Sequence, residues 1–61
     1  MYRSEVVTLM CDTIDNFNRY QAQQQGAPEE QIEEYIKAGR EQMEFVNGLL
    51  YDTLKEAGVV S

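Results

Sequence analysis

The sequence predicts an all-α fold: an antiparallel two-helix hairpin that dimerises into a four-helix bundle. Three observations predict it. Apolar residues recur at three- and four-residue spacing along both halves of the chain. A single interruption, Gly26-Ala27-Pro28, separates the halves, and a second glycine, Gly58, closes the latter one.

The first helix is expected over about residues 4–25. Val6, Val7, Leu9, Met10, Ile14, Phe17 and Tyr20 follow helical spacing and never the alternation of a strand. Ser4 is the expected N-cap, with Glu5 just inside, where a carboxylate suits the positive end of the helix dipole. The tail Gln21-Ala22-Gln23-Gln24-Gln25 is polar but helix-favouring. Gly26 stands where a left-handed C-terminal cap calls for glycine, so the turn is placed at 26–27.

The second helix is expected over about residues 28–57. Pro28 is pre-set for a first helical turn, and Glu29, Glu30, Glu33 and Glu34 all suit a helix N-terminus. Ile32, Ile36, Gly39, Met43, Val46, Leu50 and then Leu54 or Ala57 step by four and three, while Tyr35, Ala38, Phe45 and Leu49 widen the stripe. Such a stripe covers roughly half the helix circumference, more than one antiparallel partner can bury. Gly58 serves as the C-terminal cap, with Val59 placed to contact Leu54 as in a Schellman motif. At 1.5 Å per residue the helices span roughly 31 and 45 Å, so the C-terminal part of the second, with Leu50, Leu54 and Ala57, overhangs the first.

Size points the same way. A chain of 61 residues is one domain, and a single core in so short a chain contributes only about 3–5 kcal/mol. Cys11 is the only cysteine and there is no histidine, which removes an intrachain disulfide and the usual transition-metal ligands. Association remains as the means of stabilisation. The self-association surface is read as Met10, Ile14, Phe17, Ile36, Gly39, Met43, Val46, Leu50 and Leu54. Within it Met43, Val46 and Leu50 are expected to pack on Met10, Ile14 and Phe17, with Leu50 and Leu54 reaching a second subunit.

Eleven acids against five bases give a net charge of −6, which opposes direct binding to a phosphate backbone or an anionic membrane. The longest apolar runs fall far short of a membrane span and the N-terminus lacks a signal-peptide pattern, so a soluble, cytoplasmic protein is expected.

Four groups of residues are candidate sites. Glu29, Glu30, Glu33 and Glu34 are oxygen donors that a calcium or magnesium ion would accept, but they lack a loop motif and read as solvated charges, with Glu33 and Lys37 an i,i+4 pair. Cys11 reads as a small, partly buried residue without an activating neighbour. Arg40, Glu44, Asn47, Gly48 and Tyr51 fall on the face of the second helix opposite the apolar stripe and form the candidate partner surface, an outward tyrosine beside arginine being the composition of a binding hot spot. Tyr2, Tyr20 and Tyr35 with Arg3, Arg19 and Lys37 would line a small-ligand site between subunits. No nucleophile elbow, phosphate loop or redox motif is present, so neither an enzyme nor a cofactor is expected.

These readings converge on a small acidic, non-enzymatic protein that self-associates and binds another protein as an inhibitor or regulator, of the sort phages and mobile elements encode. The alternatives are a hairpin that shields a partner's helix, a nucleic-acid mimic built from the acids, or an oligomer that binds a small ligand. In layout, two helices about a Gly-x-Pro turn resemble the hairpin co-chaperones of type III secretion needles and the Rop-type bundle.

Overall fold

The computed structural model describes residues 2–60. They form two helices, α1 over Arg3–Gln24 and α2 over Glu29–Glu56. Cross-helix bonds join Arg3 to Asp52, Cys11 to Asn47, Asp15 to Arg40 and Arg19 to Glu33, so residue numbers fall along α2 as they rise along α1. The pair is therefore an antiparallel hairpin, as the turn predicts.

Both glycine caps close in the same way. Gly26 takes φ +78°, its N–H donates to the Gln23 carbonyl at 3.0 Å and the Ala27 N–H to the Ala22 carbonyl at 3.1 Å. Gly58 takes φ +79°, its N–H donates to the Lys55 carbonyl at 3.1 Å and the Val59 N–H to the Leu54 carbonyl at 2.9 Å. Each is the double bond pattern of a Schellman motif, in which the left-handed residue returns two N–H groups to carbonyls the helix end would leave unpaired.

The N-termini differ from expectation by a residue or two. The cap of α1 is Tyr2 rather than Ser4, and no side chain caps it. The Tyr2 carbonyl accepts from the N–H groups of Glu5 and Val6, so the helix starts two residues early and Ser4 lies inside it. Pro28 is the extended cap residue of α2, with φ −62° and ψ 141°, and its carbonyl accepts from the Ile32 N–H at 3.1 Å. A proline is suited to both positions because its fixed φ is shared by extended and helical backbone.

The core is small. Val7, Cys11 and Tyr51 form its buried centre, with Val6, Met43 and Val60 packed against them, and Ile32 and Ile36 are buried nearer the turn. This differs from the packing expected within the hairpin. Phe17 is 58% exposed, and Val46 and Leu50 are each 45% exposed, so they do not fill the seam between α1 and α2. The overhang also differs from expectation. Arg3 reaches Asp52, so α1 pairs with α2 almost to its end, and Val60 returns past the Gly58 cap to the core.

Gly48 permits this pairing. It is buried, and a Cβ built there would come within 2.7 Å of the Arg3 guanidinium, which crosses the glycine on its way to Asp52.

The two kinds of glycine predict opposite outcomes for alanine. Gly26→Ala must hold an L-residue in the left-handed region and is expected to cost about 1–2 kcal/mol. Gly48→Ala displaces only the far end of a flexible arginine from an exposed ion pair of small value, while recovering helix propensity of about 0.5–1 kcal/mol. Thermal unfolding followed by circular dichroism should show a lowered midpoint for the first and an equal or raised midpoint for the second.

Candidate functional site: an uncharged apolar flank

The seam that α2 presents to α1 runs through Ile32, Ile36, Arg40, Met43, Asn47, Tyr51 and Leu54, all buried or half-buried. On α1 it runs through Val7, Cys11, Asp15, Asn18 and Ala22. Polar residues are thus built into the seam. Cys11 has no exposed surface, and the Asn47 amide, 3% exposed, donates to its sulfur at 3.3 Å. Cys11 is small and Asn47 is matched by its sulfur, so no buried polar side-chain atom is left unsatisfied among the described residues.

The proposed partner surface is therefore corrected. Asn47, Gly48 and Tyr51 do not face outward but lie buried against α1, Tyr51 at 5% exposure. The physical reason is register. With Arg40 drawn across to α1 by its ion pairs, the residues two and three turns further along the same side of α2, Asn47 and Tyr51, are carried into the seam.

Arg40 is the centre of the opposite, charged side of the hairpin. Its Nη1 lies 2.6 Å from Asp15 Oδ2 and 2.9 Å from Asp12 Oδ1, and its Nε donates to Glu44 Oε1 at 3.2 Å. Asp15, then Asp12 and Glu44, hold the guanidinium pKa well above its ordinary value. Arg19 grips Glu33 with two bonds, of 2.8 and 3.0 Å, and Arg3 grips Asp52 likewise, at 2.9 and 3.1 Å. These bonds lower the pKa of Glu33 and of Asp52 and raise those of their arginines. Glu33 pairs across the hairpin with Arg19 instead of along the helix with Lys37. All three arginines are engaged, which takes Arg3 and Arg19 out of the ligand lining considered from sequence. Sequence reasoning did not identify these bridges. Folding the numbering about the Gly26-Ala27 turn would have placed Arg3 beside Asp52 and Arg19 beside Glu33.

The third side is the apolar one. Met10, Ile14, Gly39, Met43 and Leu54 are half-buried, while Phe17, Val46 and Leu50 are exposed beside them. Leu9, Tyr20, Tyr35, Phe45 and Leu49 extend the patch outward, Tyr35 at 71% and Phe45 at 69% exposure. In an antiparallel pair, residues offset in the same rotational sense from each seam share one side of the hairpin; Met10, Ile14, Phe17, Tyr35, Gly39, Val46, Leu49 and Leu50 are so offset, while Leu9, Tyr20 and Phe45 lie on the outward faces of their helices. Of the expected self-association residues only Ile36 is already buried by the hairpin itself. By helical position, no charged residue falls on this flank between Val6 and Gln24 or between Gln31 and Leu54; its polar members are Thr13, Gln21, Gln24, Gln31, Gln42 and Thr53. Beside Gly39 an open hollow of about 380 Å³ lies between the helices, bounded by Asp15, Asn18, Tyr35, Gln42 and Met43.

Monomeric proteins seldom leave a contiguous apolar flank uncovered, which makes this side the candidate site of the molecule. Among the described residues no group of three or more His, Cys, Asp or Glu side chains is placed to hold a metal ion, and no helix is long and apolar enough to cross a membrane. Comparison with known proteins finds no matching family model, curated protein or solved structure.

Two outcomes follow. Tyr51→Ala removes a buried ring at a cost of about 3–5 kcal/mol, the whole of what one small core contributes, and should abolish the helical circular-dichroism signal at 37 °C. Phe45→Ala removes an exposed ring and should leave the signal intact. On acidification, the stability that Glu33 and Asp52 contribute is complete above their ordinary values, near about pH 4, and is lost as pH falls through their lowered folded values. An acid titration of the helical signal should therefore show less loss in Glu33→Gln, which has already surrendered its share, than in the unsubstituted chain.

Proposed function

We propose that this protein is a non-enzymatic helical hairpin that self-associates into a four-helix bundle and acts by binding another protein as an inhibitor or regulator. The observation that carries the reading is the uncharged apolar flank, which the hairpin leaves open along its whole length.

The flank has the pattern a bundle requires. Ile32, Ile36, Gly39, Met43, Val46 and Leu50, and then Leu54 or Ala57, form a column of four- and three-residue steps. If the hairpin were the finished structure, that column would point straight at α1. Instead the seam is rotated from it by about 45°, so the column bisects the angle between α1 and the open side. A helix at the corner of a four-helix bundle has this disposition, since it packs on two neighbours at once. The bundle would leave the charged side outward, with Asp12, Asp15, Glu33, Glu44 and Asp52 committed to arginines and Glu30, Glu34 and Glu41 on the surface of α2 for a protein partner.

Leu50→Asp places a carboxylate in the apolar column and should convert the eluting species on analytical gel filtration to half its mass; elution unchanged from that of the unsubstituted chain would refute self-association through this flank. The regulatory role is tested separately. The unsubstituted protein should be folded and helical alone and form a complex of fixed stoichiometry with one cellular protein. Aggregation in isolation would point instead to a hairpin that awaits a partner's helix, and a rise in melting temperature with a small metabolite would point to a ligand-binding oligomer.

A further inference from the structure

We infer that the apolar flank is covered by a second copy of this chain, turned about a two-fold axis perpendicular to the helices, so that the two Gly26-Ala27 turns lie at opposite ends of the bundle. The inference rests on the self-association proposed above and adds its topology.

The flank suits a second copy better than a foreign partner. An interface with a different protein gains specificity from charges that meet opposite charges on the partner. The only acid bordering this flank is Asp15, 6% exposed and paired with Arg40 at the edge of the hollow, and the rest of the excess acid of a chain with net charge −6 is kept to the opposite side and the ends. Two copies can therefore meet here with few like charges in contact. The area is adequate. The Cα trace measures 41 × 18 × 16 Å. A face of 41 × 18 Å is roughly 700 Å² on each copy, and the total of about 1,500 Å² lies within the range of stable specific interfaces.

Charge at the ends selects between the two two-fold arrangements. Glu29, Glu30, Glu33 and Glu34 lie within six residues beside the turn. With both turns at one end, eight glutamates would gather within a bundle breadth. With the turns at opposite ends, the two groups stand a hairpin length apart, and the 41 Å of that length is several times the Debye length of about 8 Å at physiological ionic strength. Each acidic turn then lies near the other copy's open end, where Arg3 and Lys55 stand among Glu5, Asp52 and Glu56 and the acid is less dense than at a second turn.

Side-chain size agrees. The half of the flank nearer the turn carries the rings Phe17 and Tyr35 beside Gly39 and its hollow, whereas the half nearer the open end carries the aliphatic side chains Val6, Met10, Val46, Leu49 and Leu50. With the turns at one end, rings would oppose rings and hollow would oppose hollow. The opposed arrangement sets rings against aliphatic side chains and brings Met10 and Val46 of the second copy to the hollow beside Gly39, which is the large-against-small alternation that fills a core.

The test is a spin-label distance. Gln25, exposed beside the turn, is replaced in the variant Gln25→Cys with Cys11→Ala, and a nitroxide is attached; Gln25→Cys with Cys11→Ser is the second background, and each is first checked for undiminished helical signal. A pulsed electron–electron distance comparable with the 41 Å length of the hairpin is the expected result. A distance no greater than its 18 Å breadth would overturn the opposed topology, and the absence of any intermolecular distance in a folded protein would overturn the second copy as occupant. Failure to find a cellular target alongside the long distance would count against the regulatory reading alone.

Discussion

A helix packed against one neighbour can bury only one flank, and the structure of this chain follows from how its two helices divide their remaining surface. One flank of each meets in the seam. On one side of that seam the arginines tie the helices together; on the other lies an apolar surface with no charge. The partition is present in the sequence as helical position. Apart from Asp15 and Arg40, which lie in the seam itself, the acids and bases between Val6 and Leu54 fall to one side of it, and the apolar residues left outside the seam fall to the other or face outward.

The division explains why the seam itself is so mixed. A two-helix protein that had to stand alone would place its most apolar column there, because burial at about 25 cal/mol per Å² is its chief stabilisation. Here the seam contains Asp15, Asn47 and Arg40 alongside Val7, Ile36 and Tyr51, while Val46, Leu50 and Phe17 remain outside. The polar members are accommodated by local partners: Asp15 by Arg40, and Asn47 by the thiol of Cys11. Small residues make the accommodation possible. Cys11 lets α2 close on α1, and Gly48 lets the Arg3 side chain cross to Asp52. The seam therefore sets register and direction more than it supplies apolar burial, and the column left outside holds the larger reserve.

The parts of this fold legible in sequence were those governed by local chemistry. The two helical segments, the antiparallel turn and both glycine caps depend on spacing and on the left-handed tolerance of Gly26 and Gly58, all of which are properties of a few neighbouring residues. The rotation of α2 about its axis was not legible. Tyr51 and Leu50 are adjacent and both apolar, and hydropathy does not distinguish the one that faces α1 from the one that faces away. The determining signal was electrostatic and long-range: Arg40 must reach Asp12 and Asp15, twenty-five or more positions back along the chain, and this turns Asn47, Gly48 and Tyr51 inward. A stripe too wide for one partner was visible from composition, but which half of it the hairpin would use was a tertiary property.

The central claim is that the flank left by this division is covered by association. It is tested most directly by the mass of the purified, unsubstituted protein in solution, measured by static light scattering over a dilution series with the helical signal recorded on each sample. The account predicts a helical species of twice the 7.1 kDa chain mass that persists on dilution into the micromolar range. A fully helical, stable species of 7.1 kDa at every concentration would contradict it, for then the hairpin alone would suffice and its apolar flank would have no structural claim on a partner.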